Sequence, residues 1–195
     1  MRKAEKQRNT LETKISGRLL IDGSGKSEIS TGIAFFDHML DSFARHGGFD
    51  LTLAAQGDLD VDAHHTVEDT GLVLGTLLKD ALGERRGIQR FGSAYVPMDE
   101  ALARVVVDIS GRPHLSYHVD LEPLMTGGMN VMLFREFFQA FANSAGITLN
   151  VCLVSGDEPH HAMEAVFKAL AKALDGATRV DPRSDDVPST KGTLD

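Results

Sequence analysis

The chain has 195 residues, 42% hydrophobic and 25% charged, with a formal net charge of -8 and a single cysteine. This length suits one large domain or two fused halves, and the acidic balance excludes nucleic acid as the main partner, since a phosphate backbone needs a basic surface. Cys152 has no intramolecular disulfide partner, the opening MRKAEKQRNT has no apolar core, and no apolar run approaches a membrane span of about 20 residues, so a soluble cytoplasmic protein with no membrane partner is expected. Residues 11–22 mix β-formers with polar residues ahead of Asp22-Gly23-Ser24-Gly25, which predicts a hairpin. Residues 34–46 set Phe36, Met39, Leu40 and Phe43 at helical spacing, with Gly47-Gly48 as the stop. Residues 49–55 alternate as a strand, and 65–82 read as a helix stopped by Gly83.

Further along, residues 91–120 read as three strands, the last two divided by a Gly111-Arg112-Pro113 turn. Residues 130–145 form an apolar-faced helix ending near Gly146. Residues 147–154 form a strand in which Cys152 reads as a buried structural thiol. A last helix covers 160–174, with Pro159 suited to its first turn. The polar stretch from Ala177 reads as a disordered tail.

The pattern HHxxE occurs twice, as His64-His65-Thr66-Val67-Glu68 and His160-His161-Ala162-Met163-Glu164. Those motifs are 96 positions apart, and a shift of 98 lays Phe36 on Phe134, Phe43 on Phe141, Gly48 on Gly146 and Leu51 on Leu149. Each half then reads strands, helix, strand, helix. The expected fold class is α+β, an internally duplicated sandwich in which each half is a sheet with helices on one face. The expected divisions are 1–90, 91–180 and a tail over 181–195.

Imidazole nitrogens and carboxylate oxygens are donors for divalent transition metals. On a helix, Glu68 stands beside both histidines before it, but neighbouring residues diverge by about 100° around the axis. His64 and His65 therefore point at different ions, and ligands must cross between halves or subunits. The same shift sets His38 on Glu136, giving His38, His64, His65 and Glu68 in one half and Glu136, His160, His161 and Glu164 in the other. Eight donors suit two ions with about four ligands each, leaving open positions, as catalytic metals need. Nitrogen and oxygen donors without thiolate favour manganese, iron, cobalt or zinc.

FDHML (36–40), DAHHTVED (62–69), HHAMEAVFKAL (160–170) and PSTKG (188–192) resemble the imidazoleglycerol-phosphate dehydratase family over about Asn9 to Gly192. The resemblance implies dehydration of D-erythro-imidazole glycerol phosphate, a small phosphate substrate, in histidine biosynthesis. It also implies two Mn2+ ions per active site and a homo-oligomer of 24 subunits. It carries the metal-ligand role to the eight donors above, with glutamate at 136 where many members have histidine. It matches Glu12, Arg90, Arg112, Ser189 and Lys191 to substrate-contacting positions, and makes the tail a phosphate-binding arm. The reaction removes a proton from a carbon that no carbonyl acidifies, so a carboxylate base is required: Glu12 first, Asp99 second.

Overall fold

The computed structural model describes residues 1–122 and 124–194. Its first sheet has the order β1-β2-β4-β3, from β1 (Lys3–Asn9), β2 (Thr13–Leu20), β3 (Ser27–Ser30) and β4 (Asp50–Gly57). Strands β1, β2 and β4 are antiparallel neighbours, and β3 joins the far edge parallel to β4. The hairpin therefore differs from the sequence expectation. It joins β1 to β2 through the turn at 10–12, while Asp22–Gly25 leads into β3. β1 gave no alternating signal because it is an edge strand of mostly exposed polar residues, with Ala4 reaching the core. The 22–26 loop is shaped by Asp50, whose carboxylate accepts the backbone N–H groups of Ser24 and Lys26 at 2.7 and 3.0 Å.

The second sheet repeats this order with β5 (Phe91–Met98), β6 (Ala101–Asp108), β7 (His114–His118) and β10 (Thr148–Ser155), arranged β5-β6-β10-β7 with β7 parallel to β10. A small hairpin of β8 (Met125–Thr126) and β9 (Met129–Asn130) lies outside it. Two-residue strands carry no period, so the sequence could not show them. Cys152 is half-buried rather than buried: in β10 Leu149 and Val151 face the core, and alternation turns Asn150 and Cys152 to the other face.

Helices α1 (Ala34–Gly47) and α2 (His64–Leu82) belong to the first half, α3 (Leu133–Ala145) and α4 (Pro159–Thr178) to the second. Gly48 and Gly146 end α1 and α3 in the left-handed region, at φ 71° and 65°, where glycine avoids the Cβ clash. Pro159 stands in the first turn of α4, and the Glu158 side chain caps it by accepting the His161 N–H at 2.7 Å. α2 packs on β1 and β2, and α4 on β5 and β6. The helix layers of the two halves meet, α1 against α4 and α2 against α3, around Phe36, Phe134, Phe137, Phe141 and Phe167, all fully buried. Burying each such ring contributes about 1.5–3 kcal/mol.

The approach of α2 to α3 depends on two glycines one turn apart. A Cβ on Gly71 would lie 2.5 Å from the Phe137 carbonyl oxygen, and one on Gly75 would lie 2.5 Å from that of Phe141. Alanine normally improves a helix interior by about 1 kcal/mol over glycine. Here Gly71→Ala should instead destabilise the protein by about 1–3 kcal/mol in urea unfolding, because backbone must move to admit the methyl group. A gain in stability would show that the two helices separate without strain.

Candidate metal centre

Both HHxxE motifs open a helix, α2 at His64 and α4 at Pro159 just ahead of His160. Helix N-termini carry partial positive charge, which favours neutral imidazole and ionised carboxylate, the forms that bind metal. As the helical geometry requires, paired rings point apart: His64 and His65 are 5.9 Å apart at 84°, and His160 and His161 are 6.1 Å apart at 81°.

Among the described residues one cluster of three donors forms. His38 Nε2 on α1 and His160 Nε2 on α4 each lie 3.2 Å from Glu164 Oε2, so donors from both halves meet where α1 packs on α4. The three ligand atoms lie within 4.8 Å of one another, close enough to hold a metal ion. Lys168 Nζ takes the other oxygen, Glu164 Oε1, at 2.7 Å and leaves Oε2 to the imidazoles. Burial opposes the charge on Glu164, but Lys168 and His38 outweigh it and hold the carboxyl at about 2. A deprotonated carboxylate between two imidazole nitrogens, with no thiolate, fits a borderline divalent ion with coordination positions left open.

The duplicate set is looser. His64 Nε2 is 3.4 Å from Glu68 Oε2, while Glu136, the counterpart of His38, sits beside Arg135 Nη1 at 3.3 Å. Among the described residues these three do not close into a group like the first. Because Gly71 abuts Phe137 and Gly75 abuts Phe141, α2 and α3 run side by side in the same direction, which sets the turn bearing Glu136 alongside the start of α2.

His65 and His161 are each oriented by a carboxylate, from different places. His65 Nδ1 lies 3.0 Å from Asp58, just past β4, and His161 Nδ1 lies 3.0 Å from Glu100, just before β6. Each contact raises its histidine above the ordinary value, and the His161 contact lowers Glu100. Such pairing fixes the ring and leaves Nε2 as the metal-facing nitrogen. Matching the strand registers sets Glu12 on Glu100. Glu100 is thus a site residue that the sequence reading passed over, although aligning β2 with β6 would have found it. Since Asp58 orients His65, Glu12 is left free, 3.9 Å from the same nitrogen, with its side chain 56% exposed. Asp99 lies 3.7 Å from His161 Nε2 with its side chain 74% exposed, on a backbone at φ 49°.

Arg90, Arg112, Ser189 and Lys191 are elsewhere. Thr148, the first residue of β10, pairs with Asp108 and its hydroxyl donates to the Arg112 carbonyl, whereas the far end of β10, at Ser155, touches the Glu100 carbonyl. A strand of eight residues spans roughly 25 Å, so the cationic set and the imidazole set occupy opposite poles of the second sheet. Arg90 is 15% exposed in its side chain and stands in the left-handed region at φ 70°. Its Nε and Nη2 donate to Asp108 at 2.7 and 3.1 Å, and its Nη1 to the Pro188 carbonyl at 2.9 Å. The stretch after α4 is therefore docked rather than loose: Gly87 also pairs with Asp181 and Asp186, and Arg85 donates to the Leu194 carbonyl at 2.7 Å. Ser189 to Gly192 forms a turn that exposes Lys191.

These features define a duplicated α+β protein with a histidine–carboxylate centre, shared between its halves, that could hold a metal ion. The family model for imidazoleglycerol-phosphate dehydratase matches residues 31–174. The chain is 56% identical over 193 residues to the imidazoleglycerol-phosphate dehydratase of Geobacter metallireducens, covering 99% of each chain. It is 55% identical over 195 residues to that of Thiobacillus denitrificans, covering 100% of each. Crystal structures of the Staphylococcus aureus and Pyrococcus furiosus dehydratases superpose with TM-scores of 0.83 and 0.85 at 40% and 39% identity. They cover 91% and 97% of this chain, and 99% and 100% of their own. The chain belongs to the imidazoleglycerol-phosphate dehydratase family, a family of hydro-lyases acting on a phosphate-bearing small molecule. No described helix is long and apolar enough to cross a membrane.

Because its folded value lies below the ordinary 4.5, Glu164 contributes stability that is present above pH 4.5 and lost as pH falls toward about 2. In metal-free protein, Glu164→Gln should flatten the decline of melting temperature across that window. Parallel acid limbs for parent and variant would count against the ion-paired state of Glu164.

Proposed function

We propose that the chain dehydrates D-erythro-1-(imidazol-4-yl)glycerol 3-phosphate to 3-(imidazol-4-yl)-2-oxopropyl phosphate in the cytoplasm, using two Mn2+ ions held by its duplicated donor sets. The observation that carries this reading is the convergence of His38, His160 and Glu164 from both halves, in a chain of this family. His38, His160 and Glu164 would hold one ion and His64, Glu68 and Glu136 the other, with His65 and His161 completing the sets. Bound ions would act as Lewis acids toward the substrate's imidazole. Other divalent transition metals suit the same donors.

The chain's residues then have separable tasks. The hydroxyl beside the imidazole leaves as water with a proton from the neighbouring carbon, and the resulting enol becomes the ketone. Glu12 accepts the carbon-bound proton. Its counterpart Glu100 orients His161, which disfavours it for this role, and Asp99 is the less sheltered alternative. Arg112, Ser189 and Lys191 bind the phosphate, with Arg90 holding the segment around Pro188 in place and offering its remaining N–H donors. The separation of roughly 25 Å between the two poles of one chain exceeds the reach of one small substrate. One copy must therefore supply the imidazole pole and another the phosphate pole. A closed homo-oligomer, 24 subunits by family resemblance, meets that requirement.

Purified protein given Mn2+ and imidazole glycerol phosphate should form ketone without free phosphate. Release of inorganic phosphate, or no reaction, would overturn the assignment. Glu12→Gln should lower kcat by about 10²–10⁴-fold with metal content unchanged, and near-parental turnover would remove Glu12 from the base role. Particle mass should rise when metal is added to metal-free protein. A single mass under both conditions would contradict ligands shared between copies.

A further inference from the structure

The turn that carries Glu12 is braced by a polar network that its duplicate lacks. Thr10 Oγ1 accepts the backbone N–H groups of Glu12 at 3.1 Å and Thr13 at 2.9 Å. The Thr13 hydroxyl donates to Asp69 Oδ2, and Arg8 Nη2 lies 3.0 Å from Asp69 Oδ1. Asp69 is 8% exposed and follows the last residue of the first HHxxE motif. One carboxylate therefore joins the start of α2 to β1, β2 and the turn between them.

Burying a carboxylate is costly even when it is paired with a cation, and apolar residues of similar size often hold a fold as well. The second half shows that alternative in the same chain. Matching β1–β2 to β5–β6 sets Arg8 on Val96, Thr10 on Met98 and Thr13 on Ala101, and matching the HHxxE motifs sets Asp69 on Ala165. All four replacements are apolar: Ala101 and Ala165 are buried, and Val96 and Met98 pack against the core. The hairpin and its helix thus form without the network. What differs is the glutamate in the turn. Glu100 is held by its contact with His161, whereas the described contact of Glu12 with a basic group is the 3.9 Å approach to His65. With its side chain free, Glu12 depends on its backbone for its position.

We infer that Asp69 is a positioning residue that fixes Glu12 relative to the His64–His65 helix start, acting through Thr13 and Thr10. This rests on the reading of Glu12 as the base. A shift of about 1 Å in such a group can cost on the order of 10²-fold in rate, and supporting partners of site residues typically contribute 10–100-fold.

Three variants test it: Glu12→Gln, the near-isosteric Asp69→Asn, and a transplant of the second-half solution, Arg8→Val with Thr10→Met, Thr13→Ala and Asp69→Ala. Asp69→Asn should lower kcat by about 10–100-fold with KM and metal content nearly unchanged. It should also speed amide exchange at Glu12 and Thr13 in metal-free protein. The transplant should lose kcat similarly while melting near the parent, and adding Glu12→Gln to it should cost far less than in the parent. Folded Asp69→Asn protein with kcat within about twofold of the parent, or with unchanged exchange at Glu12 and Thr13, overturns the inference. If Glu12→Gln alone keeps full turnover, the base assignment fails instead, and amide exchange still reports whether Asp69 braces the turn.

Discussion

Two successive residues of an α-helix leave its axis about 100° apart, so a pair of adjacent histidines cannot close on one ion. That constraint governs the rest of the molecule. For an ion to be held, His160 needs a donor from another element, and α1 of the opposite half lies within its reach. Layering the halves helix to helix answers the need, because it brings the start of α4 against α1 and sets His38 beside His160 and Glu164. The glycines of α2 and the closely packed phenylalanines are what let those layers approach closely enough for side chains from two repeats to share one centre.

The same layering keeps the two proposed binding poles of one chain apart. The imidazoles lie where α2 and α4 begin, while the docked tail and its arginines lie where α4 ends and β10 begins. A helix of 20 residues and a strand of eight keep those poles apart, and no rotamer change closes a gap of roughly 25 Å. The net charge of -8 is compatible with a phosphate ligand because a few local arginines suffice to hold one small anion. Arg90 shows the local organisation of the pole that carries them. A bidentate pair with Asp108 holds it while its third donor fastens the Pro188 carbonyl.

Much of this was legible in the sequence, for identifiable reasons. The amphipathic helices and buried strands were found because burial on one face writes a period into the chain, and glycine stops wrote their ends. The doubled motif disclosed the repeat and the donor types. The first strand stayed hidden because an exposed edge strand has no face to bury, and the Asp22–Gly25 turn was assigned to the wrong hairpin in consequence. The tail read as disorder because its order comes from backbone bonds to Gly87 and from two arginines far back in the chain, which leave no local pattern. Glu100 was missed because the shift that aligns the helices does not align the hairpins, so its equivalence to Glu12 appears only with the strand registers in hand.

The two halves agree in backbone and disagree in where each carboxylate is engaged, and that disagreement is the most informative comparison the molecule offers. A perfect repeat would hold His65 with Glu12 as it holds His161 with Glu100. Instead Asp58, which falls on Asp157 once the register shift in β10 is counted, holds His65 and releases Glu12. A glutamate freed from orienting a ligand can exchange protons, but it also loses the contact that would have fixed it. The polar turn of Thr10, Thr13, Arg8 and Asp69 stands where that fixation is missing, and apolar residues stand where it is not. Duplication thus supplied two equivalent carboxylates beside two equivalent histidines. On the proposed reading of Glu12 as the base, freeing one of them from its histidine while bracing its backbone gives a symmetric scaffold an acid–base group on one side only.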